Sequence, residues 1–187
     1  DWTAHFVLAD DIEIKDGYEP AVIGNESNQF SGVFDGNYCT ISGLKKGKLY
    51  SMEKSKYLGL FGVVKDGEIK NLILDTPVIY GTADVDGNTL AVYAGALVGK
   101  NEGTISNCIV NNPNLRLLYS HNKANDDKLS ANSKSGVALY AGGLVGMNSG
   151  TVSECGVINT RIIKAAHLST WEKESLLYKS PRKREPN

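Results

Sequence analysis

The chain has 187 residues, 22% of them charged, and a formal net charge of −1. That length suits one domain with a sizeable core, and the charge balance gives the chain as a whole no attraction to nucleic acid or to a membrane surface. No run approaches the ~20 apolar residues of a bilayer-crossing helix, so membrane insertion is not expected either.

Twenty glycines against five prolines, with abundant Val, Ile, Thr, Tyr and Asn, is the composition of an all-β chain with many tight turns. The charge is uneven: residues 161–187 carry seven Lys/Arg and three Asp/Glu, which leaves residues 1–160 at about −5. The chain opens Asp1-Trp2-Thr3 without an initiator Met and reads as a mature fragment or an excised segment of something longer. Three cysteines, Cys39, Cys108 and Cys155, are too scattered for a disulfide framework, and no C-x-x-C pair points to zinc or thioredoxin-type chemistry.

In chain order, His5–Ile14 fits two short strands, and Gly17, Pro20 and Gly24 punctuate the turn region that follows. Residues 30–44 (FSGVFDGNYCTISGL) hold Gly32-Val33-Phe34, a turn through Asp35-Gly36-Asn37, then Thr40-Ile41-Ser42-Gly43-Leu44. Residues 59–74 (GLFGVVKDGEIKNLIL) repeat that plan more clearly. The plan returns at 93–110 (YAGALVGKNEGTISNCIV) and at 140–157 (YAGGLVGMNSGTVSECGV), where twelve of eighteen positions are identical at an offset of 47 residues. The recurring β-branched residue is placed at Ile41, Ile69, Ile105 and Val152, at intervals of 28, 36 and 47 residues. Rungs that keep their motif while the connections lengthen predict a solenoid. Gly99 and Gly103, and likewise Gly146 and Gly150, bracket three residues that read as a tight turn with positive φ at Gly, Asn101 or Asn148. Residues 75–92 and 111–136 break the plan and read as excursions between rungs. Near the end, Ser169-Thr170-Trp171-Glu172 fits a capping box and predicts a short helix over about 170–178. Its Leu168 and Trp171 are expected to cover an open end of the stack. Lys179–Arg184 form a basic tail expected to stay unfolded.

The boxes Gly143-Leu144-Val145-Gly146 and Gly59-Leu60-Phe61-Gly62 resemble the GLUG motif, a repeat named for its Gly-Leu-hydrophobic-Gly signature; Ala96-Leu97-Val98-Gly99 departs from it at the first position. The resemblance runs from about residue 3 to residue 160. It implies a parallel β-helix, with coils stacked about 4.8 Å apart, and an origin in bacterial surface or secreted proteins: adhesin-like molecules or N-terminal regions of immunoglobulin A peptidases. The expected organisation is therefore an all-β parallel β-helix (β-solenoid) domain over 1–160 with irregular loop insertions, a capping segment with a short C-terminal helix over 161–178, and a basic tail over 179–187.

Individual residues give little chemistry. Cys108 and Cys155 hold the same repeat position and are expected to stack as small buried thiols, since parallel Cβ vectors suit a disulfide poorly. Asn101 and Asn148 are expected to form an asparagine ladder that satisfies backbone groups. Asp84, Asp86 and Asn88 offer alternate oxygens that could hold calcium, but Gly87 stands fourth and Gly95 twelfth in that loop, which is not the EF-hand order. An ordinary acidic turn is the simpler reading there and at Asn125-Asp126-Asp127. His5, His121 and His167 form no HExxH pair, no Gly-x-Ser-x-Gly elbow occurs, and Asp10-Asp11 are neighbours on a strand that face opposite ways. The expectation is a non-catalytic extracellular module, an adhesion or spacer element without metal or cofactor. Its partners would be a host protein or glycan, met through 75–92 and 111–136, and adjacent domains of a longer chain. The alternatives are an accessory region of a larger secreted peptidase and, by fold analogy alone, a carbohydrate-active β-helix enzyme.

Overall fold

Short apolar runs rich in Val, Ile, Leu and aromatics, each ended by Asn or Gly, favour brief strands separated by corners. A computed structural model of the chain describes residues 2–47, 56–84, 91–120 and 138–165. Among these residues there are eighteen strands and no helix. The first repeat supplies β1 (His5–Val7) and β2 (Ile12–Glu13), and the second β3 (Val33–Asp35), β4 (Thr40–Ser42) and β5 (Lys45–Lys46). The third supplies β6 (Tyr57–Leu58), β7 (Phe61–Lys70), β8 (Ile73–Asp75) and β9 (Val78–Asp84). The fourth supplies β10 (Ala91–Gly95), β11 (Val98–Ser106), β12 (Ile109–Asn111) and β13 (Asn114–Ser120). The fifth supplies β14 (Ala138–Gly142), β15 (Val145–Asn148), β16 (Thr151–Ser153), β17 (Gly156–Ile158) and β18 (Arg161–Ala165), the last of these lying past residue 160. The predicted helix over 170–178 and the basic tail fall outside the described residues.

The strands form four sheets, and every pairing between named strands is parallel. The first sheet runs β1-β3-β7-β11-β15, with β16 also on β11; the second β6-β10-β14; the third β2-β4-β8-β12-β17; the fourth β5-β9-β13-β18. Each sheet thus takes its strands from successive repeats, and the chain visits the sheets in one order. Like side chains consequently sit on like. Phe34, Ile69, Ile105 and Val152 form one ladder, and Ile41, Leu74, Val110 and Val157 another. All four sheets contribute to a single hydrophobic core that includes Phe61, Ile69, Leu74, Ile79, Val92 and Leu115.

Three expectations need correction. Ile41 is not the counterpart of Ile69; Phe34 is, and Ile41 pairs with Leu74 in a different sheet. A pattern of β-branched residues could not see this, because the equivalent rung position carries an aromatic side chain. Residues 100–102 do not turn: β11 runs unbroken from Val98 to Ser106, and neither Gly99 nor Gly103 has positive φ. These glycines are required by backbone proximity, since a Cβ on Gly103 would lie 2.3 Å from the Gly67 carbonyl oxygen. The irregularity falls instead on β7, where Asp66 (φ 59) is the extra residue opposite the Glu102/Thr104 shift. Finally, 75–92 and 111–136 are not wholly excursions. Part of each pairs as β9 and β13, from Asn114↔Val78 to Ser120↔Asp84. Ile79 and Ala83 on β9, and Leu115 and Leu117 on β13, point inward, a period-2 signal diluted by the polar residues around it. Residues 85–90 and 121–137 lie outside the described residues.

The corners between sheets are asparagine-rich for a stereochemical reason. Asn71 and Asn107 at one corner, and Asn112 and Asn159 at the next, adopt φ between 52 and 54, a left-handed conformation that Asn tolerates better than other side chains with a Cβ. Their amides then chain together. Asn107 Nδ2 donates to Asn71 Oδ1 (2.9 Å), Asn71 Nδ2 to Asp35 Oδ1 (3.0 Å), and Asn159 Nδ2 to Asn112 Oδ1 (3.1 Å). Asp35 ends its ladder as the acceptor. The Asn37 backbone N–H, then the Asn71 amide, hold its carboxyl below the usual range. A depressed folded pKa contributes stability above the unfolded value, about 3.9, and loses it as pH falls through the folded one. Thermal melts between pH 6 and pH 2 should therefore show Asp35→Asn less stable than the parent at pH 6, with the gap closing on acidification. A gap independent of pH would mean that the carboxylate charge contributes nothing.

Candidate functional site

The most distinctive surface feature lies on the outer side of the second sheet. Parallel pairing puts Tyr93 between Tyr57 and Tyr140, and the rings stack at 5.3 Å (25°) and 4.6 Å (3°). Burial grades along this strip: Tyr57 is buried, Tyr93 half-buried and Tyr140 46% exposed. Two ammonium groups flank the buried end. Lys56 Nζ lies 5.1 Å and Lys100 Nζ 5.9 Å from the centroid of the Tyr57 ring, within reach of its negative face. Each is also held by a carboxylate, Lys56 by Glu26 and Lys100 by Glu102, both at 2.7 Å. The Glu26 bond holds the Lys56 pKa above its ordinary value and Lys56 holds Glu26 below its own; Glu102 likewise raises Lys100.

Beside Tyr57 opens a cleft of about 540 Å³ lined by Ala21, Val22, Gly24, Glu26, Lys46 and Lys56, among others. Lys46 is buried there, its Nζ donating to the Pro20 carbonyl, while the Gly47 N–H donates to Glu19 Oε1 at 2.7 Å. These bonds tie the 19–27 segment to β5. The strip and cleft together offer aromatic edges, paired charges and peptide groups, the chemistry of polar recognition. Where carboxyl pKa values are displaced, at Asp16, Glu26 and Asp35, cationic or N–H donors push them downward. These groups are ionised at neutral pH and unsuited to act as general acids.

Several of the residues singled out by sequence have structural employment. Asn101 is fully buried within β11: its Nδ2 donates to Asn148 Oδ1 (2.8 Å), and its Oδ1 accepts from the Gly103 N–H (3.2 Å). The expected ladder is present, set in a strand instead of a turn. Asn101→Ala should cost about 2–3 kcal/mol because it removes a fully buried side chain and leaves the part-buried Gly103 N–H without that acceptor. Asn148→Ala, at the exposed end, should cost at most about 1 kcal/mol in the same urea titrations; equal losses would refute the burial argument. Cys108 and Cys155 are free thiols on adjacent rungs, with the Cys108 N–H 3.4 Å from Cys155 Sγ. Burial pushes the Cys108 thiol up to about 12, which makes it inert at neutral pH. Asp10 and Asp11 accept backbone N–H groups, from Asp11 and Thr40 respectively. His5 is exposed on β1. His121, His167, Asp86, Asn88 and residues 125–127 lie outside the described residues, as does the side chain of Asp84. Among the described residues no three His, Cys, Asp or Glu converge as a metal site, and no helix is long and apolar enough to cross a membrane.

The tyrosine strip was within reach of sequence reasoning. Tyr93 and Tyr140 open the two copies of the longest repeat, and Tyr57 stands 36 residues before Tyr93. No protein-family model, curated protein or solved structure matches the chain.

Proposed function

We propose that the chain is a parallel β-helix module of the GLUG-repeat type, a non-catalytic adhesion or spacer element of a bacterial cell-surface or secreted protein. The observation that carries this reading is the repeat register. Val145, Val98 and Phe61, the third residues of the three Gly/Ala-Leu-hydrophobic-Gly boxes, are Cα partners on adjacent strands. The signature then has a mechanism: its last glycine lets neighbouring backbones approach, and its leucine enters the core. A Cβ on Gly146 or Gly99 would lie 2.8 Å from the carbonyl oxygen of Gly99 or Gly62, respectively. A stack of this kind is stiff along its axis and presents one outer position as a continuous row, which suits a spacer that also displays a binding strip.

The binding face in this reading is the Tyr57–Tyr93–Tyr140 strip with Lys56 and Lys100, for a host glycan or protein. The connections 85–90 and 121–137, which lead into the strands carrying Tyr93 and Tyr140, are further points of contact. Beads bearing the chain, tested on glycan arrays and extracellular-matrix proteins, provide the experiment. Adhesion that Tyr140→Ala weakens at least several-fold, with the melting temperature unchanged, supports the strip as the binding face. Adhesion indifferent to that change moves binding elsewhere. Depolymerisation of any polysaccharide on the array overturns the non-catalytic reading.

A further inference from the structure

One exposed ring stands apart from the tyrosine strip, at the corner between the first and third sheets. Later repeats cross this corner from Lys70 to Ile73, from Ser106 to Ile109 and from Ser153 to Gly156. The second repeat crosses it from Asp35 to Thr40, the register partners of Lys70 and Ile73, and so spends two residues more. In this longer turn Asn37 (φ 50) and Tyr38 (φ 63) are consecutive left-handed residues, a conformation that a bulky side chain rarely adopts. Surrounding bonds hold it in place. The Tyr38 N–H donates to the Asn71 carbonyl at 2.7 Å, the Cys39 N–H to the Gly36 carbonyl at 2.8 Å, and the Asn37 N–H to Asp35 Oδ1 at 2.9 Å. Glycine would fit this backbone without strain, so the turn itself does not call for a tyrosine.

The side chain is fixed as firmly as the backbone. Asn107 Nδ2 donates to the Tyr38 hydroxyl at 3.2 Å, while the Tyr38 backbone is bonded to Asn71, one rung nearer. The ring therefore lies lengthwise along the stack, across the asparagine corner. Tyr38 is 67% exposed, which leaves the outer face of the ring in water. Tyr93 contrasts with it, having a stacked ring on each face. Acceptor oxygens flank the platform. Asp35 Oδ1 and Asn71 Oδ1 are taken up by the ladder, but Asp35 Oδ2 and Asn107 Oδ1 accept no hydrogen bond from a described residue.

We propose that Tyr38 is a stacking platform for one pyranose ring of a glycan, with Asp35 and Asn107 accepting from its hydroxyls. A pyranose fits this arrangement because it carries C–H groups on one face, for the electron-rich ring, and hydroxyls on its rim. An aromatic side chain of a protein partner would use the ring and leave both acceptors unmatched. The site is separate from the Tyr57–Tyr93–Tyr140 strip and does not depend on what the strip binds.

Methyl glycosides of β-glucose, β-galactose and N-acetyl-β-glucosamine, titrated into the isotopically labelled chain, test it by nuclear magnetic resonance. At least one should shift the Tyr38 ring and the Asn71 and Asn107 side-chain amides, with its own C–H protons moved upfield. Tyr38→Phe should weaken that sugar less than Tyr38→Ala, which should weaken it at least several-fold. Tyr38→Gly should abolish the response and leave the melting temperature unchanged or raised, because glycine relieves the left-handed strain. A melting temperature lowered by more than about 5 °C in Tyr38→Gly would make the ring a structural prop and overturn the proposal. So would silence at Tyr38 with all three sugars, or a Tyr38→Gly chain that binds as the parent does. Shifts confined to Tyr140 would overturn this site while leaving the strip as the binding face.

Discussion

Gly103→Ala should abolish cooperative folding, or lower the melting temperature by roughly 10–20 °C, the scale of a loss near 5 kcal/mol in a chain of this length. The new methyl group would meet the Gly67 carbonyl oxygen at 2.3 Å and the Gly67 nitrogen at 3.0 Å. Those are backbone atoms of β7, which lies between β3 and β11, so no side-chain rotation relieves the clash. β11 would have to move away from β7, opening the longest strand pairing in the first sheet. Gly156→Ala is the matched control. An added Cβ there meets nothing within 4 Å and φ is not positive, so a neutral result or a gain of about 0.4–1 kcal/mol is expected from the stiffer unfolded chain. If both substitutions behave alike in thermal melts, close backbone stacking is not what these glycines are for.

Phe61→Ala should cost about 3–5 kcal/mol, the usual range for an aromatic truncated in a core. Phe61 is 0% exposed. It takes Phe30 edge-on at 5.1 Å and Phe34 at 5.3 Å, so its removal empties the centre of the aromatic layer near the N-terminal end. In a structure whose strands pair between successive repeats, damage should spread by proximity. Amide hydrogen exchange should accelerate first in β1, β3 and β7 and last in β13 and β18. Tyr18→Ala, at a ring 65% exposed, should stay within about 0.5 kcal/mol of the parent. A Phe61→Ala chain that melts within 2 °C of the parent would show that this end contributes little to stability.

How much of this was legible beforehand depended on how strongly each repeat is written. The copies at 93–110 and 140–157 share enough residues that their alignment is also the physical register: Tyr93↔Tyr140, Val98↔Val145 and Ile105↔Val152 all keep the 47-residue offset. Parallel stacking, a Cys108–Cys155 thiol pair of which Cys108 is buried and Cys155 half-buried, and an Asn101–Asn148 ladder follow from it. Upstream the signal fails because rung positions tolerate any apolar side chain. Phe34 stands where Ile69 does, and the nearby Ile41 imitates it one sheet away. β9 and β13 were concealed differently, since their inward residues alternate with Tyr80, Asn114 and Arg116, and polar windows read as connections. The asparagine corners were the missed regularity. Asn71 and Asn107 stand 36 residues apart, as do Ile69 and Ile105, so the spacing was present in the sequence. Its meaning depends on a left-handed φ that composition does not reveal. The tyrosine strip escapes notice in the sequence because the third copy is recognised only from Gly59, two residues after Tyr57.

The central claim is that successive repeats lie in parallel, each on its counterpart. Interstrand nuclear Overhauser contacts in the isotopically labelled chain test it most directly. Val98 should show amide and Hα contacts to Val145 on one side and Phe61 on the other, and Ile105 to Val152 and Ile69, in the pattern of parallel strands about 4.8 Å apart. Close Hα–Hα contacts of antiparallel pairs between these segments, or pairings displaced from the 47-residue offset, would contradict it.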